Sequence, residues 1–186
     1  MSIETVHTTI NTTPITEVRI VPYYSHKDIP PELVDSIFNL LNEIIIDGDT
    51  YPFENPLNRQ EFLDYYCPNF IAVMVDSHNS LVGCFYIKPN YPGRSSHICN
   101  GGFLVSKRYR GLGIGKILGK QYVDWAPKLG YKSSVFNLVY ETNLASRRIW
   151  EGLGFKVIGR IPQCGRLKGK DNLVDAIMYG KDFIEK

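Results

Sequence analysis

Apolar residues recur along the chain with two different periods, which predict helices and strands. In residues 31–46, PELVDSIFNLLNEIII, they return every three or four positions, and Pro31 suits a first helical turn, so we expect an amphipathic helix. The shorter stretch LNRQEFLDYY, residues 57–66, predicts a second helix. The apolar runs FIAVMVD and LVGCFYIKP, residues 70–76 and 81–89, predict a hairpin because only SHNS separates them.

The second half of the chain alternates between strand and helix patterns. Six segments carry them: HICNGGFLVS (97–106, strand), IGKILGKQYVDWAPKLG (114–130, helix), YKSSVFNLVY (131–140, strand), NLASRRIWEGLG (143–154, helix), FKVIGRI (155–161, strand) and VDAIMYGKDF (174–183, strand). Gly101 and Gly102 weaken the first of these strands and indicate a bulge or a close backbone approach. The order predicts a mixed α/β (α+β) fold with a sheet flanked by helices.

The length of 186 residues fits one domain, which we expect to span residues 17–186. Residues 1–16, MSIETVHTTINTTPIT, are rich in Thr and have few apolar anchors, so we expect a poorly ordered lead-in. This segment also lacks the positive-then-apolar order of a signal peptide.

Composition excludes several classes of partner. The net charge is only +2, and basic residues are scattered outside residues 107–120, so we expect no nucleic-acid partner. No apolar run approaches the ~18 residues of a membrane helix, so we expect no membrane partner. Four cysteines lack metal-ligand spacing: Cys67, Cys84, Cys99 and Cys164. They predict reduced thiols, no metal site and a cytoplasmic location.

The segment SKRYRGLGIGKILG, residues 106–119, combines four glycines with four basic residues. It is not a P-loop, because Ile117 occupies the position of the magnesium-binding hydroxyl, and its spacing does not fit the dinucleotide-binding pattern. Residues 110–115 carry the pattern RxxGxG between a predicted strand and a predicted helix. Glycines there let successive N–H groups converge on an anion at the helix N-terminus, which suits a pyrophosphate. The alternative is a glycine-rich turn that only caps the helix.

About thirty residues downstream, ETNLASRRIWEGLGF (141–155) places Asn143 at a helix start and ends on Gly154 and Phe155. Together with RxxGxG, in this order of strands and helices, it resembles the GNAT-superfamily acetyltransferases. The resemblance implies the acyl-CoA N-acyltransferase fold, whose mostly antiparallel central sheet is splayed at the cofactor site and flanked by helices. It implies that the anion is the pyrophosphate of acetyl-CoA, a cosubstrate used without a metal.

In that superfamily the pantetheine arm of the cofactor lies between two splayed strands, which correspond to residues 103–105 and 136–139 here. The resemblance therefore implies the following acetyl-CoA-binding residues: Phe103, Leu104, Val105, Arg110, Gly111, Leu112, Gly113, Ile114, Gly115, Lys116, Asn137, Asn143 and Ser146. Asn143 has an alternative role as a plain helix N-cap.

A narrower likeness covers the chain from about residue 28 to the end. Segments such as IKPNY, WAPKLGYK and FNLV resemble the fungal L-azetidine-2-carboxylate N-acetyltransferases. This implies acetylation of the ring nitrogen of L-azetidine-2-carboxylate, or of a related proline-like imino acid, by direct attack in a ternary complex, which detoxifies a proline analogue. It also implies a homodimer. The alternatives are acetylation of another amine (a protein N-terminus, a lysine or a polyamine) and a non-catalytic acyl-CoA-binding module.

Two residues common in the superfamily are missing from this sequence. The strand HICNGGFLV has no carboxylate to act as a base, and Trp150 stands where many members have a Tyr acid. We therefore expect asparagines to position the reactants: Asn100 binds the substrate carboxylate, with His97 beside it. Asn137 or Asn143 aligns the nitrogen and the thioester, and water takes the proton.

Weaker alternatives stay open for these polar residues. His97, Tyr140 and Glu141 are further candidates for proton transfer. An asparagine inside an apolar strand, such as Asn137 in VFNLV, could also serve only to pair with nearby backbone.

Overall fold

Nine strands and four α-helices make up the part of the chain that this computed structural model describes, residues 3–183. The strands are β1 (Val6–Ile10), β2 (Thr16–Tyr23), β3 (Phe70–Asp76), β4 (Leu81–Pro89), β5 (Ile98–Asn100), β6 (Phe103–Val105), β7 (Ser133–Tyr140), β8 (Lys156–Gly165) and β9 (Val174–Asp182). The helices are α1 (Pro31–Asp47), α2 (Arg59–Tyr66), α3 (Ile114–Lys128) and α4 (Leu144–Gly152).

The strands form one unclosed sheet in the order β1-β2-β3-β4-β5-β7-β9-β8, with β6 paired to β4. Only β5 and β7 run parallel to each other, and the other pairs are antiparallel. A mostly antiparallel sheet with helices packed on it confirms the predicted mixed α/β architecture.

Helices cover both faces of the sheet and create two apolar cores. Ile37 and Leu41 of α1 pack with Phe62 of α2 on one face, where all three side chains are fully buried. Tyr122 and Trp125 of α3 fill the other face. Strand β3 is buried along its whole length because it lies between the two layers.

The N-terminal segment is a strand, so the poorly ordered lead-in predicted for residues 1–16 is wrong over its described part. Strand β1 pairs antiparallel with β2, with Val6 opposite Ile20. Ile3 and Ile10 are buried in the core. The threonines that suggested disorder include Thr8 and Thr9 of this edge strand, a position that suits β-branched side chains. Residues 1 and 2 lie outside the described residues.

The strand predicted for residues 97–106 is two strands, β5 and β6, separated by Gly101 and Gly102. Aromatic rings crowd both glycines. A Cβ on Gly101 would lie 2.6 Å from Cε2 of Tyr122, and a Cβ on Gly102 would lie 2.5 Å from Cε1 of Tyr86. Because no side chain fits at either position, glycine lets the chain pass between the rings while β5 and β6 both stay paired with β4.

Candidate active site

A gap opens in the sheet where β6 and β7 separate. Strand β7 pairs with β5 only at its start, through Ser133 and Ser134, and β6 pairs with β4. Across residues 3–183, no strand pairing joins β6 to β7. The splayed strands implied by the resemblance are therefore present, and each offers one unpaired edge to the gap.

The main chain of β6 points into this gap at alternate residues. The carbonyl of Gly102 accepts a hydrogen bond from Tyr86 N–H of β4 (3.2 Å), and Ser106 N–H donates to the carbonyl of Val82 (3.0 Å). Successive residues of an antiparallel strand direct their backbone N–H and C=O groups alternately towards the partner strand and away from it. The N–H and C=O groups of Phe103 and Val105 are therefore directed away from β4, towards the gap. Leu104 lies opposite Cys84, with its side chain fully buried.

Strand β7 is irregular on the opposite side of the gap. Its register with β9 shifts between Phe136, which lies opposite Tyr179, and Val139, which lies opposite Ile177. Asn137 lies in this irregularity. A bulge of this kind changes the direction of a side chain, and it takes Asn137 out of the regular alternation of the strand.

The segment Arg110 to Lys116, which we call the glycine loop, presents a row of free N–H donors at the start of α3. Among the hydrogen bonds of residues 3–183, none uses the backbone N–H groups of residues 111–115. Gly111 and Gly113 have φ angles of +79° and +77°, and nothing would lie within 4 Å of a Cβ on either. Unpaired N–H groups at a helix N-terminus bind phosphate, so the loop fits the pyrophosphate of acetyl-CoA.

Two basic side chains flank these donors. Arg110 and Lys116 are exposed, and neither forms an ion pair within the part of the chain that the structure describes. Both are free to make charge-assisted contacts with a phosphate.

A buried carboxylate, Asp76 at the end of β3, holds the loop in place. Its Oδ2 accepts a hydrogen bond from Tyr109 Oη (2.9 Å), and its Oδ1 accepts from the N–H groups of His78 and Ser80 (2.9 Å each). Burial raises the pKa of Asp76, but the hydrogen bonds from Ser80, Tyr109 and His78 outweigh it and leave the pKa below its ordinary value. A charged carboxylate thus joins the loop to the β3–β4 hairpin.

Gly115 has a second role that the motif alone did not reveal. A Cβ there would lie 2.9 Å from Cδ1 of Ile149 on α4, and one on Gly119, a turn later, would lie 2.8 Å from Cδ1 of Leu153. The two glycines lie on one face of α3 and let α4 approach closely. The middle and the end of α4 are thereby packed against the first turns of α3.

Three side-chain amides meet beside the gap. Asn90 and Asn137 exchange two hydrogen bonds: Asn90 Nδ2 donates to Asn137 Oδ1 (3.0 Å), and Asn137 Nδ2 donates to Asn90 Oδ1 (2.6 Å). Asn100 Nδ2 also donates to Asn90 Oδ1 (3.1 Å). The structure thus brings Asn100 and Asn137 together through Asn90, which the sequence analysis missed although it lies in the quoted segment IKPNY. We call these three residues the amide cluster.

Asn143 lies apart from the amide cluster. Its Oδ1 accepts a hydrogen bond from Ser146 N–H (3.1 Å), so it is the N-cap of α4. It lines a cavity of about 350 Å³ between the α1–α2 connection, α4 and the β8–β9 connection, together with Asp49, Thr50, Thr142, Leu144, Ala145, Leu167 and Lys170. Asn143 and Ser146 are therefore near each other, and no hydrogen bond within residues 3–183 joins either to the amide cluster.

The other proton-transfer candidates occupy unfavourable positions. His97 is exposed just before β5, and its carbonyl accepts from Lys132 N–H. Glu141 is paired with Arg160 (3.0 Å). Trp150 is buried, with its ring 4.7 Å from that of Phe103 and 4.4 Å from that of Phe136, so it packs beneath the gap and carries no acid for catalysis.

A cationic and aromatic wall borders the amide cluster on the α2 side. Lys88 of β4 lies directly opposite Asn100 of β5. Its Nζ donates to the carbonyl of Tyr65 (2.6 Å) and lies 4.4 Å and 4.5 Å from the ring centroids of Tyr65 and Tyr86. Lys88 was not among the residues predicted from the sequence, where the signal for it was a lysine at the end of an apolar strand.

Tyr51 is the third aromatic residue of this wall, and it lies next to Gly102. Its hydroxyl would lie 2.9 Å from a Cβ on Gly102. It is buried without a hydrogen-bond partner among the described residues. Burial raises the pKa of Tyr51 well above its ordinary value, so the phenol stays protonated and its O–H is available to donate.

An open sheet with a glycine loop at its gap defines an acetyl-CoA-dependent N-acetyltransferase. The chain belongs to the Acetyltransferase (GNAT) family, whose model matches residues 34–155. It is 44% identical over 169 residues to N-acetyltransferase aca1 of Schizosaccharomyces pombe, a match that covers 82% of this chain and 81% of that protein. A stretch of 102 residues is 53% identical to Protein SPT10 of Saccharomyces cerevisiae and covers 55% of this chain but only 16% of that protein.

Solved structures show the same fold. A GCN5-related N-acetyltransferase from Kribbella flavida superposes with a TM-score of 0.78 at 25% identity, over 88% of this chain and 97% of that chain. The structure of yncA from Salmonella typhimurium, with its cofactor acetyl-CoA, superposes with a TM-score of 0.73 at 17% identity, over 90% of this chain and 95% of that chain.

Two kinds of feature are absent from residues 3–183. No group of three or more His, Cys, Asp or Glu side chains is arranged to hold a metal ion. No helix in this range is long and apolar enough to cross a membrane.

Proposed function

We propose that this N-acetyltransferase acetylates the ring nitrogen of L-azetidine-2-carboxylate or a closely related proline-like imino acid. The observation that carries the proposal is the lining of the wall beside the gap. It offers amides, aromatic rings and one ammonium group, and none of the seven side chains that form it is a carboxylate: Tyr51, Tyr65, Tyr86, Lys88, Asn90, Asn100 and Asn137. Such a lining suits an acceptor that brings its own carboxylate and disfavours a polycation.

The chain's own residues would position both reactants. Bound acetyl-CoA supplies an acetyl thioester, so the new N–C bond forms as the C–S bond breaks, the sulfur leaves as a thiolate and the proton of the nitrogen passes to water. The backbone N–H of Phe103 or Val105, directed towards the gap, would stabilise the developing oxyanion. The amide cluster would orient the acceptor next to it, and such positioning lowers the barrier without any protein base.

The roles of the three predicted asparagines differ in this proposal. Asn100 binds the acceptor, and Asn137 aligns the nitrogen because its side chain reaches across the gap to Asn90. Asn143 and Ser146 contribute at the cofactor end, where Asn143 Nδ2 is left to donate after its oxygen has capped α4.

The experiment follows thiol release from acetyl-CoA with L-azetidine-2-carboxylate, azetidine (the same ring without the carboxylate), spermidine and a lysine peptide. We expect turnover of the imino acid alone. Asn100→Ala and Asn137→Ala should each lower kcat/KM by about 100-fold, the size expected for misplaced reactants. Asn69→Ala, on the exposed α2–β3 connection, is the matched control and should keep full activity.

Turnover of spermidine or of the lysine peptide, with none of the imino acid, would contradict the proposal and favour acetylation of another amine. Retained CoA binding by calorimetry separates loss of acceptor alignment from loss of the fold.

The homodimer and the cytoplasmic location stay predictions. Strand β8 is an outer edge of the sheet and exposes Val157 and Ile158, at 59% and 55% of their surface. An apolar edge of this kind suits contact with a second copy. Light scattering at micromolar concentration should give twice the mass of 21.2 kDa, and a monomer would contradict it. Imaging of the tagged chain tests the location.

A further inference from the structure

Lys88 is a half-buried cation that no carboxylate balances within residues 3–183. Its Nζ makes one hydrogen bond, to the carbonyl of Tyr65 (2.6 Å), and lies close to the faces of two tyrosine rings. Three N–H donors are available on an ammonium group, so two remain for another acceptor. A charge that is partly removed from water in this way is costly unless an anion is paired with it.

The ionisable groups around Lys88 are neutral and cannot supply that anion. Burial raises the pKa of the Cys67 thiol to about 12, and burial also raises the pKa values of Tyr65 and Tyr86. Burial lowers the pKa of Lys88 itself, which is the effect expected for a cation without a counter-ion. These residues therefore leave the charge of Lys88 unbalanced.

The position of Lys88 relates this missing anion to the reaction. Lys88 and Asn100 are directly opposite each other on paired strands, so their side chains leave the sheet on the same face. The ring of Tyr86 lies between Nζ of Lys88, 4.5 Å from its centroid, and the backbone of Gly102. Gly102 immediately precedes Phe103, whose main chain faces the gap. Lys88 thus lies close to the part of the chain that borders the gap.

We propose that Lys88 is the carboxylate anchor of the acceptor site, and that it makes the enzyme specific for amino or imino acids over amines without a carboxylate. The inference rests on the proposed function. With the carboxylate held between Lys88 and Asn100, the ring lies next to the amide cluster and its nitrogen is directed towards Asn137 and the gap. Lys88 is thus a specificity-determining residue, and it takes no part in proton transfer.

A purely structural role would give a different result. The bond from Lys88 Nζ to Tyr65 tethers the last turn of α2, where a cation also interacts favourably with the helix dipole. If that were its only role, removing the charge would destabilise the fold and weaken the turnover of every acceptor equally.

The test compares two acceptors in two variants. L-azetidine-2-carboxylate and its uncharged carboxamide have the same ring nitrogen, and the ratio of their kcat/KM values measures the preference for the carboxylate. Lys88→Met keeps the apolar stem without the charge, and Lys88→Arg keeps the charge. Lys156→Met, on the exposed edge strand β8, removes one positive charge elsewhere and is the control.

We expect Lys88→Met to lower the ratio of kcat/KM for the acid to kcat/KM for the carboxamide by at least about 30-fold. Loss of one partner of a buried charge pair has an effect of this size. The KM for the acid should rise while the values for the carboxamide change little. Lys88→Arg and Lys156→Met should keep most of the preference. An unchanged ratio in Lys88→Met, with both acceptors equally slowed, overturns the inference. Absence of turnover by the wild type would instead refute the proposed function.

A second measurement covers the case in which Lys88→Met does not fold. The wild-type enzyme is treated with an amine-modifying reagent in the presence of CoA, and the modification of Lys88 is measured by peptide mass spectrometry. We expect L-azetidine-2-carboxylate to protect Lys88 and the carboxamide to leave it reactive. Equal reactivity with both ligands would overturn the inference.

Discussion

Two buried tyrosines beside Gly102 differ in their hydrogen bonds. The hydroxyl of Tyr66 donates to the carbonyl of Gly102 (3.1 Å), whereas the hydroxyl of Tyr51 has no partner among the described residues. An unsatisfied buried hydroxyl is costly, so its retention next to the gap suggests a use during catalysis. We therefore expect Tyr51 to donate to the bound reactants.

Replacement of these two tyrosines should give effects of opposite sign on stability. Tyr51→Phe removes an unpaired group and should raise the free energy of unfolding by about 1 kcal/mol, while lowering kcat. Tyr66→Phe leaves the carbonyl of Gly102 with one partner fewer and should lower the free energy of unfolding by about 1 kcal/mol. Urea unfolding and initial rates check both. A Tyr51→Phe enzyme with full activity would contradict a role in catalysis.

At the residue level, the sequence indicated which residues have a functional role better than it indicated which of them meet in space. The pattern RxxGxG follows from backbone conformation, which is local, so the glycine loop could be predicted. Asn100 and Asn137 were singled out because a polar residue in an apolar strand needs a partner. The partner, Asn90, lies far from Asn137 in the sequence, and only the strand pairing brings them together. Lys88 was missed for the same reason.

At the level of elements, the glycine loop and α3 act as one anion-binding unit. Gly113 is the N-cap of α3, and its φ of +77° directs the N–H groups outward. Gly130, just after the same helix, has a φ of +94°, and nothing would lie within 4 Å of a Cβ there either. Both glycines have a left-handed backbone conformation that a Cβ would disfavour, but only Gly113 lies in the glycine loop.

Gly113→Ala and Gly130→Ala form a matched pair. Each should lower the free energy of unfolding by about 1–2 kcal/mol, because a Cβ disfavours the left-handed conformation. Only Gly113→Ala should raise the Kd for CoA, measured by calorimetry. If both variants bound CoA as the wild type does, the loop would not be the pyrophosphate site.

Asp76 makes the junction between the β3–β4 hairpin and the glycine loop sensitive to acid. Because its pKa is lower in the folded protein than in the unfolded chain, the carboxylate stabilises the fold at pH values above about 3.9, the ordinary value. This contribution is lost as the pH falls through the lowered pKa. The direction follows from the unfolded chain binding the proton more tightly.

Asp76→Asn should therefore lose about 1–3 kcal/mol at pH 7 and show a shallower decline in stability below pH 4 than the wild type. Urea unfolding between pH 7 and pH 3 measures both effects. Asp124→Asn, an exposed carboxylate on α3, is the control and should retain the decline of the wild type. If the free energy of unfolding of Asp76→Asn and of the wild type declined in parallel with pH, Asp76 would not be the cause of the loss of stability in acid.

The elements were predicted well where a period is strong and poorly where a strand is short or at an edge. Helices α1 and α3 match the periodic segments closely. Strand β1 was missed because Thr-rich edge strands lack a strong apolar pattern. The division into β5 and β6 was indicated only by Gly101 and Gly102, since it depends on rings from distant parts of the chain.

At the scale of the whole molecule, the gap exists because the sheet has two halves: β1 to β4 with β6, and β7 to β9. Among the described strands, only β5 pairs with both halves. Strand β5 connects them through Ser133 and Ser134. At the β8–β9 connection, Lys168 N–H donates to the carbonyl of Gly48 (2.8 Å) and Lys168 Nζ to that of Ile46 (3.1 Å). Between these two links β6 and β7 are left unpaired, and we expect the cofactor and the acceptor to meet there in one ternary complex.

A crystal structure with CoA and L-azetidine-2-carboxylate tests this account most directly. It should show the pyrophosphate on the N–H groups of residues 111–115 and the pantetheine arm between β6 and β7. The acceptor should lie on the opposite side of the gap, with its carboxylate at Lys88 and Asn100 and its ring nitrogen towards the thiol. An acceptor bound elsewhere, or a CoA that leaves the gap empty, would contradict it.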